Sequence, residues 1–185
     1  MIETLNELIA YIKNPVLEKD TNTSFSYRLK KFGALFFISL GTSFLLTIFI
    51  SFIEEVGLVN SENHAVDTVF KNYGPMFFFL FAVIIAPIIE ETLFRAPITL
   101  FKKEKNFKIA FYVFAIAFGF LHITNYEIST NVLIFSPLLI APQIFAGLYF
   151  GFIRVKFGLV WSMALHATYN AFIFSLFLLT KDAIT

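Results

Sequence analysis

Two adjacent glutamates and an arginine, Glu90, Glu91 and Arg95, lie in "PIIEETLFR" (Pro87 to Arg95), one of the most apolar stretches of the chain. Charges in such surroundings face a partner or a water-filled cavity, because an ionisable group at mid-bilayer costs about 2.5–3.5 kcal/mol on insertion scales. Glu91 and Arg95 are i and i+4, the geometry of an ion pair on one helix face. Glu90 is turned from Glu91 by about 100°, so the spacing leaves Glu91 and Arg95 to neutralise one another and keeps Glu90 available as a general base. Further on, "HATYN" places His166 and Asn170 at i and i+4, two hydrogen-bonding groups on one face, and "FGFLH" repeats the spacing with Phe118 and His122. A carboxylate, two histidines and an asparagine around a wet cavity are the parts for peptide-bond hydrolysis: a base activates water and donors stabilise the oxyanion. Each group also has a plainer use. His122 can serve as an interhelical hydrogen-bond partner, and Glu91 with Arg95 as a structural ion pair. His64 falls in a polar loop and reads as a surface residue, whereas Asn125, Tyr126 and Gln143 are helix-end or pocket residues.

Whether these groups meet depends on the elements that carry them. The chain has 185 residues, 58% of them hydrophobic, and a mean hydropathy of +0.77, which exceeds what a soluble domain carries. The composition is that of an all-α, polytopic membrane bundle. A net charge of +1 without a basic stripe excludes a nucleic-acid partner, and the absence of cysteine excludes a disulfide framework, a thiolate site and a cysteine nucleophile. Five stretches approach the roughly 20 residues needed to cross a bilayer: Phe32 to Ile53, Pro75 to Phe101, Phe107 to about Asn125, Val132 to Ile153 and Phe157 to Thr180. Pro137 and Pro142 predict a kinked or broken fourth span. Before the first span, Ile2, Leu5, Ile9 and Ile12 recur at helical spacing until Asn14-Pro15, which fits an amphipathic interfacial helix or a helix packed on a neighbouring loop. The chain thus divides into an interfacial segment, 1–31, and a bundle, 32–185. Glu54 to Tyr73 reads as an exposed loop, and no cleaved signal peptide is expected.

Basic residues fix the expected orientation. Lys13, Lys19, Arg28, Lys30 and Lys31 precede the first span, Lys102, Lys103, Lys105 and Lys108 follow the second, and Arg154 and Lys156 follow the fourth. All fall on one side if the N-terminus is cytoplasmic and the C-terminus opposite. Counting along the spans at ~1.5 Å per residue puts Glu90 and His166 about 15 Å above the cytoplasmic face and His122 and Asn170 about 20 Å above it. The four can share one layer, around a cavity expected to open to the cytoplasm. Pro87 is placed to loosen the backbone where that cavity begins.

The inventory excludes other intramembrane hydrolases. No aspartate lies in a span, and neither HExxH nor GxSG occurs. Three motifs remain, EExxxR at Glu90 to Arg95, FxxxH at Phe118 to His122 and HxxxN at His166 to Asn170. Together, in this order and on different spans, they resemble the CaaX protease and bacteriocin-processing (CPBP, or Abi) family of membrane proteins, over a core of about 75–180. The resemblance implies a glutamate-dependent intramembrane endopeptidase acting on a membrane-associated peptide or protein. By the family pattern Glu90 would activate water, His122 would help to hold it, His166 and Asn170 would bind the oxyanion, and Glu91, Arg95 and Phe118 would support the site. The family is commonly labelled as metalloproteases, and the same chemistry admits a zinc ion on Glu90, His122 and His166. The metal-free version is favoured, since Asn170 suits an amide donor better than a ligand. The alternative function is a non-catalytic bacteriocin-immunity or partner-binding protein of the same fold. The departure from the CaaX prenyl endopeptidases is size, since those have more spans.

Overall fold

The computed structural model describes residues 1–59 and 65–182, so His64 lies outside the described residues. The described chain is helical: α1 (Ile2–Lys13), α2 (Phe25–Glu55), α3 (Ala65–Phe79), a π turn (Leu80–Ile85), α4 (Ala86–Phe94), a 3-10 turn (Pro97–Leu100), α5 (Glu104–Leu121), a second 3-10 turn (His122–Asn125), α6 (Thr130–Leu139), α7 (Ala141–Phe157) and α8 (Leu159–Asp182). Among the described residues five stretches are long and apolar enough to cross a membrane: Phe25–Glu55, Asn72–Leu100, Glu104–Asn125, Thr130–Phe157 and Leu159–Leu179. The chain is an integral, multi-pass membrane protein.

Two departures from the sequence reading concern the ends of spans. The supposed loop from Glu54 to Tyr73 is helical from Ala65 onward, and α3 bends at Gly74, whose φ of 80° is the left-handed conformation that glycine adopts without a Cβ clash. In α1 the repeat of Ile2, Leu5 and Ile9 faces outward, while Thr4, Leu8 and Tyr11 are the buried residues. Tyr11 packs edge-on against Phe111 of α5 and Phe152 of α7, with ring centroids 5.5 and 5.0 Å apart, and its phenol donates to the Val16 carbonyl at 2.9 Å. Lys31 of α2, itself buried, pairs with Glu7 of α1. The helix is therefore docked by one face on the helices of the bundle and presents an apolar edge outward.

The core is built on α7, which is buried from Ala146 to Ile153. It meets α5 closely because small residues recur every four positions on both helices, Ala115 with Gly119 and Gly147 with Gly151, an arrangement that lets membrane helices approach. A Cβ on Gly151 would come within 2.8 Å of the Phe111 ring, and one on Gly147 within 3.2 Å of the Ala115 backbone. The fourth span is broken as its prolines require, between α6 and α7 at Ile140. Pro142 then occupies the first turn of α7, where its missing N–H removes no helical bond. At the basic end of the bundle Trp161 packs among Phe25, Phe32 and Phe157.

Candidate active site

The segment that carries the glutamates enters through the π turn. There the Ala86 N–H bonds the Phe81 carbonyl, five residues back. The Ala82 carbonyl then has no helical donor left, because Ala86 is taken and Pro87, the next π partner, has no N–H. Asn170 supplies the donor from α8, with Nδ2 at 2.8 Å from Ala82 O. One N–H of the amide is committed in this way and the second remains.

Below the π turn, α4 buries one face and exposes the other. Ile88, Ile89 and Leu93 are about half exposed, which suits a lipid-facing surface, while Glu91 and Arg95 are fully buried. Glu91 holds more than the predicted ion pair. Its Oε1 accepts from His166 Nδ1 at 3.0 Å and lies 3.6 Å from Arg95 Nε, and its Oε2 accepts from the Ser162 hydroxyl. The Arg95 guanidinium lies 3.9 Å from the centroid of the Phe118 ring, a cation–π contact, and neither Nη atom has a hydrogen-bond partner. Gly147 makes room for it, since a Cβ there would sit 3.3 Å from Arg95 Nη2.

The Glu91 carboxylate accepts from Nδ1 and so turns Nε2 of His166 toward Glu90, whose Oε2 is 3.6 Å away. The Glu90 side chain keeps 19% exposure, against 0% for Glu91. His166 is clamped by aromatics, stacked on Phe150 at 4.6 Å and edge-on to Phe118 at 5.7 Å. His122 caps α5, its Nδ1 donating to the Phe118 carbonyl at 2.8 Å, which likewise leaves Nε2 for other contacts. Phe118 thus touches Arg95, His122 and His166 at once.

His122, His166 and Asn170 line one cavity of about 370 Å³, together with Asn125, Tyr126 and Gln143, the residues that the sequence left as helix-end or pocket groups. Gln143 Oε1 is buried there without a partner. Burial, with the Glu54 charge adding to it, raises the Tyr126 phenol above its ordinary value, so it stays protonated at neutral pH. Glu90 is not one of the residues lining this cavity; it adjoins His166, which is. The cavity continues past Ala82 to Phe78, Phe174 and Phe177. The sequence predicts an opening toward the end that bears the basic loops, taken as cytoplasmic. Phe78 lies near the start of the second span and Phe177 near the end of the fifth, so the cavity runs away from the end that bears the basic loops. Toward the basic loops, Arg95, Phe118 and Phe150 form a buried layer. Ser162 is the site residue that sequence reasoning missed; it stands one turn before His166, and its polarity inside a span was the available signal.

Among the described residues no three His, Asp or Glu side chains gather into a set that could hold a metal ion.

Bundle and site together define a multi-pass membrane protein with a carboxylate–imidazole pair buried at mid-span. The family model described as "Type II CAAX prenyl endopeptidase Rce1-like" matches residues 72–172, and the chain belongs to that family of membrane-embedded, CAAX-type proteases. Comparison with curated proteins and with solved structures found no match.

Proposed function

We propose that the protein is a glutamate-dependent intramembrane endopeptidase that needs no metal and cleaves a membrane-associated peptide or protein. The observation that carries this reading is the Glu90 carboxylate 3.6 Å from His166 Nε2, with Nδ1 of the same ring fixed on Glu91 at 3.0 Å. Glu90, the less buried carboxylate, takes a proton from the attacking water, which His122 Nε2 helps to orient. The proton passes on to His166 Nε2, and Glu91 holds the ring and balances the imidazolium that forms. That imidazolium and the second N–H of Asn170 receive the oxyanion, and the proton finally leaves with the amine. Arg95 and Phe118 keep Glu91 and the two rings in place. In the cytoplasmic-N-terminus orientation, peptide enters from the outer side of the bilayer, where the cavity lies.

The test is to compare membrane peptides in cells carrying the wild-type chain and Glu90→Gln. Removing a general base lowers the rate by about 10²-fold or more, so the natural substrate accumulates uncut, while thermal unfolding of the purified variant matches wild type. Undiminished cleavage by Glu90→Gln would sink the assignment. Chelator treatment leaves wild-type cleavage intact on this reading; loss that zinc restores would reverse its metal-free part.

A further inference from the structure

At the basic end of the bundle, a second cavity of about 570 Å³ lies between the α1–α2 linker, the turn after α4 and the last turns of α7, lined by Leu17, Lys19, Thr99, Lys102, Arg154 and Val155. Its three ionisable residues are all cationic. Arg154 donates from Nε to the Arg95 carbonyl at 3.2 Å and from Nη2 to Thr99 Oγ1 at 3.0 Å, and Lys102 donates to the Thr99 carbonyl at 2.8 Å. Among the described residues no carboxylate pairs with any of the three. Three cations outside the cleft do meet acids: Lys31 with Glu3 and Glu7, Lys108 with Glu104, Arg95 with Glu91. Three like charges around one cleft repel one another, and their remaining N–H groups face no anionic acceptor.

Depth identifies the counter-charge. Thr99 lies at the end of the second span, and Arg154 three residues before the end of the fourth, the level at which bilayer phosphates lie. Leu17 and Val155 add an apolar wall suited to a glycerol backbone. We propose that this cleft binds a phosphate-bearing anion, the headgroup of an acidic phospholipid being its source. The site is separate from the proposed chemistry, though Arg154 connects it to the backbone end of the helix that carries Glu90.

Purified full-length protein in neutral detergent is titrated with phosphatidylglycerol or phosphatidylcholine, while unfolding is followed thermally and retained lipid is counted by native mass spectrometry. Three chains are compared: wild type, Lys19→Gln/Lys102→Gln, and the charge-matched Lys30→Gln/Lys105→Gln, whose lysines are exposed outside the cleft. Phosphatidylglycerol, but not phosphatidylcholine, raises the Tm of wild type and of the matched variant by several degrees and stays bound, and Lys19→Gln/Lys102→Gln loses both effects. Equal responses in all three chains, or no response in wild type, overturn the site. Inorganic phosphate that reproduces the shift, again only when Lys19 and Lys102 are present, supports the phosphate site and assigns it to a soluble ligand. Acetate at equal ionic strength giving the same shift overturns the phosphate assignment in favour of a carboxylate.

Discussion

Glu91 and Glu90 are adjacent in sequence and opposite in circumstance. Glu91 has no exposed surface and contacts Arg95, His166 and Ser162, whereas Glu90 keeps an accessible side chain and one cavity-side neighbour. Removing the Glu91 charge leaves a buried guanidinium whose Nη atoms already lack hydrogen bonds. Breaking a buried pair costs about 3–5 kcal/mol, so Glu91→Gln is expected to unfold at markedly lower temperature in detergent, where Glu90→Gln does not. A Glu91→Gln chain as stable as wild type would show that Arg95 is held by Phe118 alone. The Glu91–Arg95 pair was legible because i, i+4 spacing fixes it within one helix. The bonds from His166 and Ser162 were not, because they depend on the rotation of α8 against α4, which no local pattern encodes.

At the scale of elements, Pro87 does more than loosen a helix. By withholding an N–H from the Ala82 carbonyl it creates the acceptor that Asn170 fills. Pro87→Ala is expected to return that carbonyl to a backbone donor and release Asn170, so cleavage falls, and adding Asn170→Ala lowers it little further. Fully additive losses would show that the two residues act independently. Five spans, the break near Pro137 and Pro142 and the motif order were all readable, since apolar length and proline chemistry are local properties. The bend at Gly74, the helix from Ala65 and the outward edge of α1 were not. Loop-like composition hides a helix that tertiary packing supports, and a repeat of isoleucines does not say whether protein or lipid covers it.

For the molecule as a whole, sidedness is the decisive property. The α1–α2 linker, the Lys102 turn and the end of α7 gather at one end, and the cavity with His122 and His166 runs toward the other. The chain has no cysteine, so single cysteines report without background. An impermeant thiol reagent applied to intact cells is expected to label Ile128→Cys, in the exposed loop before α6, and to spare Lys103→Cys until the membrane is opened. The reverse pattern would invert the orientation and put the substrate on the cytoplasmic side.

The lipid-facing half of α4 gives the site a mechanical property. The helix has nine residues, about 13 Å at ~1.5 Å each, and sits between a π turn above and a 3-10 turn below, with Ile88, Ile89 and Leu93 outward and Glu91 inward. It is a short cylinder between two irregular turns, with an apolar face on one side and the buried Glu91 on the other. A change in hydrocarbon thickness is expected to tilt such a segment and so to alter the gap between Glu90 and His166. On the proposed function, cleavage rate is therefore expected to vary with acyl-chain length, measured in vesicles of stepped hydrocarbon thickness; a rate independent of thickness would show that the segment does not move.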